Sequence, residues 1–267
     1  MVKIGFIGTG RMGTALLVGI LKAKLARPSD IVIYDADQKK LAQTAKRYKV
    51  TASKSAARTA INSEVLILAV KPQTIGEVLD EIKNFSGLAI SVAAGINLKY
   101  LAKKLKSARV IRTMPNNPAL IGEGITGIAA AETTTVKDRN IAVHIFESVG
   151  DVVLLNEKHF DAVTGLSGSG PAFVYQFVEA MLEVGVSLGL ERAVSRQLAL
   201  KTVIGAINTL LATGLSPNEL TAQVASPGGT TIEGLAVLEK GQFKKILSQA
   251  VSAAAKKSKI LGTKFSS

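Results

Sequence analysis

Short β-branched runs alternate with helix-like patterns through the first half of the chain, and after about Glu157 the strand-like runs stop. Such alternation is the signature of βαβ units around a parallel sheet. VKIGFI (Val2–Ile7) reads as a buried strand, followed by GTGRMG and a helix through about Lys24. IVIY (Ile31–Tyr34) is a second strand, with the helix ADQKKLAQTAKRY behind it. EVLILAV (Glu64–Val70) and LAISVAA (Leu88–Ala94) are apolar on both faces, as central parallel strands are. ARVIRTM (Ala108–Met114), ITGIAA (Ile125–Ala130) and DVVLL (Asp151–Leu155) extend the sheet, with a helical segment from about Thr135 to Ser148 between the last two.

From Phe160 onward helical periodicity dominates, broken at SGSGP (Ser167–Pro171), GLSPNE (Gly214–Glu219) and SPGG (Ser226–Gly229). The stretch AFVYQFVEAMLEVGVSLGL is nearly apolar all round, which places it against other helices or another subunit. The pattern predicts two domains, an α/β domain over residues 1–158 with a mostly parallel sheet and an all-α domain over residues 159–267. No internal repeat or long linker separates them.

Composition narrows the class. Apolar residues make up 47% of the 267 residues and charged residues 20%, the balance of a globular chain. No uninterrupted apolar stretch approaches the roughly 18 residues of a membrane span, and Val2–Ile7 is too short for a secretory apolar segment. The absence of cysteine excludes disulfides, thiolate metal sites and a cysteine nucleophile, and it fits a cytoplasmic protein. The net charge of +13 is concentrated early: residues 1–158 hold 23 Lys and Arg against 13 Asp and Glu, residues 159–267 only 10 against 7. Aromatics are 4% and Trp is absent, so no stacking platform accompanies the basic surface. We therefore expect neither a nucleic-acid nor a membrane partner, and an anionic small ligand suits the sign of the charge.

Gly8-Thr9-Gly10-Arg11-Met12-Gly13 matches G-x-G-x-x-G after a strand and at the opening of a helix, the context in which this pattern binds a dinucleotide. The glycines permit a tight turn and close backbone approach, and the helix N-terminus stabilises a pyrophosphate. The α/β domain is thus of Rossmann type. Ile7 precedes the loop, and Asp35 ends the second strand, where an acid accepts the adenosine ribose hydroxyls. It would repel a 2′-phosphate, whereas Lys39 and Lys40 nearby would attract one. With those lysines read as an ordinary solvated helix face, NADH is favoured over NADPH. Ala69-Val70-Lys71-Pro72 and Val92-Ala93-Ala94 stand at the carboxyl ends of central strands, the edge where ligands bind in open α/β sheets. MPNNPA (Met114–Ala119) follows another strand, its asparagines either facing ligand or capping the turn.

Only His144 and His159 exist, neither beside a nucleophile nor in a metal-ligand pattern, so no metal site is expected. Hydride transfer needs neither, because the cofactor carries the difficult chemistry. Near the end, VASPGGTTIEGLAVLE admits two readings. Thr230-x-x-Glu233 fits a capping box with Thr230 as N-cap; alternatively Ser226, Gly228 and Gly229 form a nest of backbone amides for an anion.

GFIGTGRMG, ILAVKPQ, SVAAGI, RTMPNNPALIGEG, DAVTGLSGSGPAFVYQFVEAM and VASPGGTTIEGLAVLE, in this order, resemble pyrroline-5-carboxylate reductase over residues 2 to about 255. The last two motifs are the specific ones. The resemblance implies NAD(P)H-dependent reduction of 1-pyrroline-5-carboxylate to L-proline and an all-helical second domain that makes an intertwined homodimer, with assembly of dimers into a higher oligomer as a further option. It tips the SPGG loop toward the substrate carboxylate, held by Ser226, Gly228, Gly229, Thr230 and Thr231. It makes Thr231 the catalytic candidate beside the imine nitrogen and puts Ser167 and Ser169 in the same substrate site. The chain departs from the family with Ala56 where Asn often touches the cofactor ribose, leaving Ser53 and Ser55 as the neighbouring hydroxyls, and with MPNNPA where MPNTPA is commoner. The rival readings are another small imine or β-hydroxyacid reductase, whose hydroxyacid members carry a catalytic Lys that the long helix here lacks, and a non-enzymatic dinucleotide-binding protein.

Overall fold

The computed structural model describes residues 2–263, so residue 1 and residues 264–267, the outer limits of the two expected domains, lie outside the described residues. The first stretch runs β1 (Ile4–Ile7), α1 (Arg11–Lys22), β2 (Ile31–Tyr34), α2 (Gln38–Tyr48), β3 (Thr51–Ala52), α3 (Ala56–Ile61), β4 (Val65–Leu68), α4 (Ile75–Glu81), β5 (Leu88–Ser91), α5 (Leu98–Lys104), β6 (Arg109–Met114), β7 (Gly124–Ala130), α6 (Val136–Glu147) and β8 (Gly150–Leu154). Helices follow: α7 (Phe160–Val163), α8 (Gly170–Ser187), α9 (Arg192–Thr213), α10 (Pro217–Val224), α11 (Thr230–Lys240) and α12 (Phe243–Thr263). Among the described residues no single helix is long and apolar enough to cross a membrane.

The strands form one sheet in the order β3-β2-β1-β4-β5-β6-β7-β8. Neighbours are parallel except β6 and β7, which pair antiparallel from Ile111 opposite Ala130 to Met114 opposite Gly127. Every expected strand is present, with β1, β4, β5 and β6 shorter than expected and β7 and β8 each beginning one residue earlier. The pattern did not predict β3, α3, α4 or α5, which span two to seven residues. So few positions carry no readable period.

Period-two alternation sorts each central strand onto two cores. Ile4 and Phe6 of β1, Val65 and Ile67 of β4, and Leu88 and Ile90 of β5 join Leu16, Leu17, Ile20 and Phe146 on one face. Ile7, Leu66, Leu68 and Ala89 join Ile75, Leu79, Ile96 and Leu101 on the other. A strand buried on both faces reads as an unbroken apolar run, which is why these three segments were legible.

Compactness divides the chain into residues up to Ser169 together with those from Ser252 on, and the stretch Gly170–Val251. The expected limit near residue 158 follows the end of the strands, whereas specific contacts bind later segments to the sheet unit. Arg112 of β6, itself buried, pairs with Glu157 at 2.9 Å and lies 4.6 Å over the Phe160 ring, and Glu157 also accepts the Leu98 amide of α5. Ser258 of α12 donates to Asp161 at 2.7 Å, and Gly95 after β5 is packed against Leu261 and Gly262.

The Gly170–Val251 unit is built on α8 and α9. Ser195 donates to the Leu182 carbonyl at 2.7 Å, and a side chain at Gly185 would strike Ser195, so the two helices approach closely there. SGSGP is not the open break expected. Residues Thr164–Gly168 form a π-helical turn in which the Ser169 amide bonds the Thr164 carbonyl, and α8 begins one residue before Pro171. GLSPNE does break the chain: Gly214 adopts φ +66° and Ser216 forms a capping box with Glu219.

The helix start anticipated at Thr135 is also a capping box, with Asp138 reaching back to the Thr135 amide and hydroxyl and forward to Arg109 at 2.9 Å. Burial pushes the Asp138 carboxyl up, but the Thr135 hydrogen bonds and the Arg109 guanidinium outweigh it and hold it below the ordinary carboxylate range. A depressed folded-state pKa contributes stability that is present above the unfolded value, about 4, and lost as pH falls through the folded value. Asp138→Asn should therefore lower the thermal midpoint at pH 7, by the few degrees that about 1 kcal/mol of lost capping and pairing represents. It should also flatten the loss of stability below about pH 4. Thermal scans from pH 7 to 3 test both, and an acid limb as steep as wild type would refute the assignment.

Candidate active site

The site begins where β1 ends. Gly8 has φ +97°, a left-handed conformation that favours glycine, and a side chain on it would meet the Ala69 carbonyl. One on Gly13 would meet the Gly8 carbonyl. Packing alone therefore requires both glycines. Gly10 differs: a side chain there would find no protein atom within 4 Å. It is the N-cap of α1, with no side-chain cap and no acid in the first turn, so the amides at this helix start face open space. That combination fits a pyrophosphate, which uses the free donors and needs close backbone approach. The loop sits at the switch between β1 and β4, where Gly8 donates to the Tyr34 carbonyl and Ala69 to the Ile7 carbonyl, each at 2.8 Å.

Asp35, at the carboxyl end of β2, is buried and crowded with donors. Its Oδ2 accepts the Thr9 amide at 2.7 Å, the Thr9 hydroxyl at 2.9 Å and the Lys40 ammonium at 2.5 Å, and its Oδ1 accepts the Asp37 amide at 3.0 Å. Burial pushes this carboxyl up, but Lys40, Thr9 and Asp37 together hold it below its usual range. Of the two lysines weighed from the sequence, Lys39 is exposed and Lys40 is the one on the carboxylate.

A cavity of about 340 Å³ gathers Ile7, Gly8, Gly10, Asp35, Ala69, Val70 and Lys71, with Tyr34, Ala36, Lys40 and Thr74 beside them. Thr9 and Arg11 line an adjoining cavity. The remaining expected cofactor residues support this surface from behind. Met12 and Val92 pack against the first core, Ala93 is in the second, and Pro72 and Ala94 are half-buried at the strand ends. Ser53 and Ser55 are both engaged locally, Ser53 donating to the Ser55 carbonyl and Ser55 capping α3 at Arg58, while Ala56 is fully buried. In MPNNPA, Asn116 is buried and accepts the Ile125 amide at 3.0 Å, which assigns it to bracing the turn. Tyr34, Ala36 and Thr74 were not anticipated, since nothing in their local pattern marks them apart from strand-end and turn residues.

Ser167 is half-buried in the π-helical turn, its hydroxyl donating to the Val163 carbonyl at 3.0 Å, and Ser169 follows two residues on. In the Gly170–Val251 unit, Ser226-Pro227-Gly228-Gly229 is a tight turn in which the Gly229 amide bonds the Ser226 carbonyl at 3.0 Å. Gly228 has φ +70°, and a side chain on Gly229 would strike the Ser226 hydroxyl. The capping box expected at Thr230 does not form: Gly229 is the N-cap of α11, Thr230 is its first helical residue, and no side chain caps the end. The turn delivers the chain in extended geometry one residue early, so the N-cap is a glycine without a side chain and Glu233 lies four residues past it, not the three the box requires. The helix start is left with uncapped amides above a half-buried Thr231 and an exposed Thr230.

The matches with known proteins agree with this geometry. Residues 157–261 match the family described as pyrroline-5-carboxylate reductase dimerisation, and residues 3–95 match NADP oxidoreductase coenzyme F420-dependent. The chain is 42% identical to the pyrroline-5-carboxylate reductase of Methanosarcina acetivorans, with 98% of each chain covered. It is 40% identical to that of Synechocystis, covering 98% of this chain and 99% of the relative. The crystal structure of Plasmodium falciparum pyrroline carboxylate reductase with NADP bound superposes with a TM-score of 0.90 at 33% identity, with 98% of each chain covered. With that identity over almost its whole length and a glycine loop open at Gly10, the chain belongs to the pyrroline-5-carboxylate reductase family.

Proposed function

We propose that this protein catalyses the NAD(P)H-dependent reduction of 1-pyrroline-5-carboxylate to L-proline, the last step of proline biosynthesis, in the cytoplasm. The observation that carries the reading is Gly10: nothing in the protein requires a glycine there, and a dinucleotide does. When bound, the nicotinamide supplies the hydride that reduces the C=N bond. The chain's own groups do the rest. The amides at the start of α11, with the helix dipole, favour the substrate carboxylate over the turn Ser226–Gly229, and the missing side-chain cap supports this role. Thr231 is the hydroxyl we assign to the ring nitrogen. A threonine is a poor acid near neutral pH, so it orients an already protonated imine or relays a proton through water. Ser167 and Ser169 complete the substrate site in this reading. The functional division lies near residue 158, supported by the start of the matched dimerisation segment at residue 157. NADH is the favoured cofactor through Asp35.

The helical unit supports assembly with a second copy. Within Gly170–Val251 only Leu182, Ser195 and Ala199 are buried, while Val174, Phe177, Val184, Leu198, Ile204 and Ile207 stand about half exposed and Leu211 and Val237 are 78% and 70% exposed. Fully burying each such side chain stabilises by about 1.5–3 kcal/mol, which a lone helical unit forgoes. The homodimer is therefore expected to be obligate. Light scattering at micromolar concentration should give at least twice the chain mass, and a stable, active monomer would sink the idea.

Turnover of NADH or NADPH with pyrroline-5-carboxylate tests the activity directly. Gly10→Ala sharpens it: the thermal midpoint should fall by no more than the few degrees that an Ala in place of a Gly N-cap costs, while cofactor affinity falls about tenfold or more, since the methyl group meets no protein atom and only the ligand. A variant that binds cofactor normally would place the pyrophosphate elsewhere.

Thr231→Ala removes one hydrogen bond to a charged or developing group, about 1.5–3 kcal/mol, so kcat/KM should fall roughly ten- to hundredfold with NADH affinity unchanged. Thr230→Ala should change little in either activity or thermal midpoint, because its side chain caps nothing. Loss of activity in Thr230→Ala with full activity in Thr231→Ala would reverse the two roles.

A further inference from the structure

The acid that ends β2 is not bare. Asp35 carries three neutral donors fixed by the backbone or by Thr9, and one cation, Lys40, so its charge is matched before any ligand arrives. Oδ2 already takes three of these donors, so a ribose 2′-hydroxyl that donates to Oδ2 has to displace one. The Thr9 and Asp37 amides cannot leave without moving the glycine loop or the start of α2. Lys40 can: its side chain is 39% exposed.

The backbone of Lys40 is nevertheless held. It lies in the first turn of α2, where its amide donates to the Asp37 cap at 3.0 Å, so the ammonium swings about a fixed root. Lys40 and Gly10 also line both the cofactor cavity and the neighbouring one of about 500 Å³. The charged side chains of that second cavity are Arg11, Lys22 and Lys40, with no acid among its lining residues. A cavity of one sign beside a ribose site suits a ligand bearing a phosphate dianion.

We propose that Lys40, supported by Arg11, is this chain's recognition element for the 2′-phosphate of NADPH, so that Asp35 does not exclude that cofactor. The inference rests on the dinucleotide reading above and deepens it. With NADH, Lys40 swings away and Asp35 accepts the 2′-hydroxyl. With NADPH, Lys40 moves from the carboxylate to the phosphate, and Asp35 keeps its Thr9 and Asp37 donors. One side chain thus serves two cofactors, Asp35 setting the preference for NADH and Lys40 setting how far NADPH is tolerated.

Binding, not turnover, is the test. Dissociation constants for NADH, NADPH, 5′-AMP and adenosine 2′,5′-bisphosphate are measured on the wild-type protein and on Lys40→Gln, Lys40→Arg and Lys39→Gln. Lys40→Gln should weaken NADPH and the bisphosphate about tenfold or more while NADH and 5′-AMP change less than about threefold, and it should reduce the salt dependence of NADPH binding. Lys40→Arg should retain NADPH, and Lys39→Gln should behave as wild type. Equal weakening of phosphorylated and unphosphorylated ligands, or equal effects at Lys39 and Lys40, would overturn the assignment. Binding of neither dinucleotide to the wild-type protein would remove the functional reading and this inference with it.

Discussion

The contact on which the site depends is the pressing of the Gly8 turn against the carbonyl of Ala69, across the boundary between β1 and β4. The order β3-β2-β1-β4-β5-β6 sends the chain outward in opposite directions from these two strands, and the crevice they leave is where an α/β sheet holds a ligand. A side chain at Gly8 or Gly13 would lift the loop off the sheet and turn the α1 amides away from the crevice. Asp35 then ties the same loop to β2 through Thr9, so three strand ends are fixed relative to one another before a ligand binds.

Electrostatics at this crevice is local rather than global. The large positive net charge is spread over helix faces, and its bulk says little about the ligand. What matters is that one lysine of many reaches a buried carboxylate, and that the glycine loop brings Arg11 to the same side. Asp138 shows the same arrangement in a structural setting, a buried acid kept ionised by a helix start and an arginine. In both places burial alone would favour the neutral acid, and hydrogen-bond donors reverse it.

The helical unit follows another logic. Its helices are long and apolar, yet within Gly170–Val251 a single chain fully buries only Leu182, Ser195 and Ala199. The sheet unit closes its own two cores, and the end of α12 belongs to it through Ser258 and the Gly95 contact. Two parts of one chain therefore differ in self-sufficiency. The first closes its own cores, and the second leaves large apolar side chains exposed.

The sequence by itself determined what depends on short-range patterning. The doubly buried strands, the Gly8–Gly13 loop, the helix from about Thr135, the break at Gly214–Glu219 and the apolar α8 were all legible, because periodicity and turn chemistry are written in neighbouring residues. The motifs also carried the family. Tertiary structure alone decided the rest. The pairing of Lys40 rather than Lys39 with Asp35 depends on how α2 is docked on β2, and the short α3, α4 and α5 have no period to read. The shift of the α11 cap from Thr230 to Gly229 depends on backbone angles at Gly228, and the π-helical passage at Thr164–Gly168 replaces a break that glycine and proline content suggested. Each of these turns on a dihedral angle or a long-range approach, and neither quantity is encoded by residues adjacent in the chain.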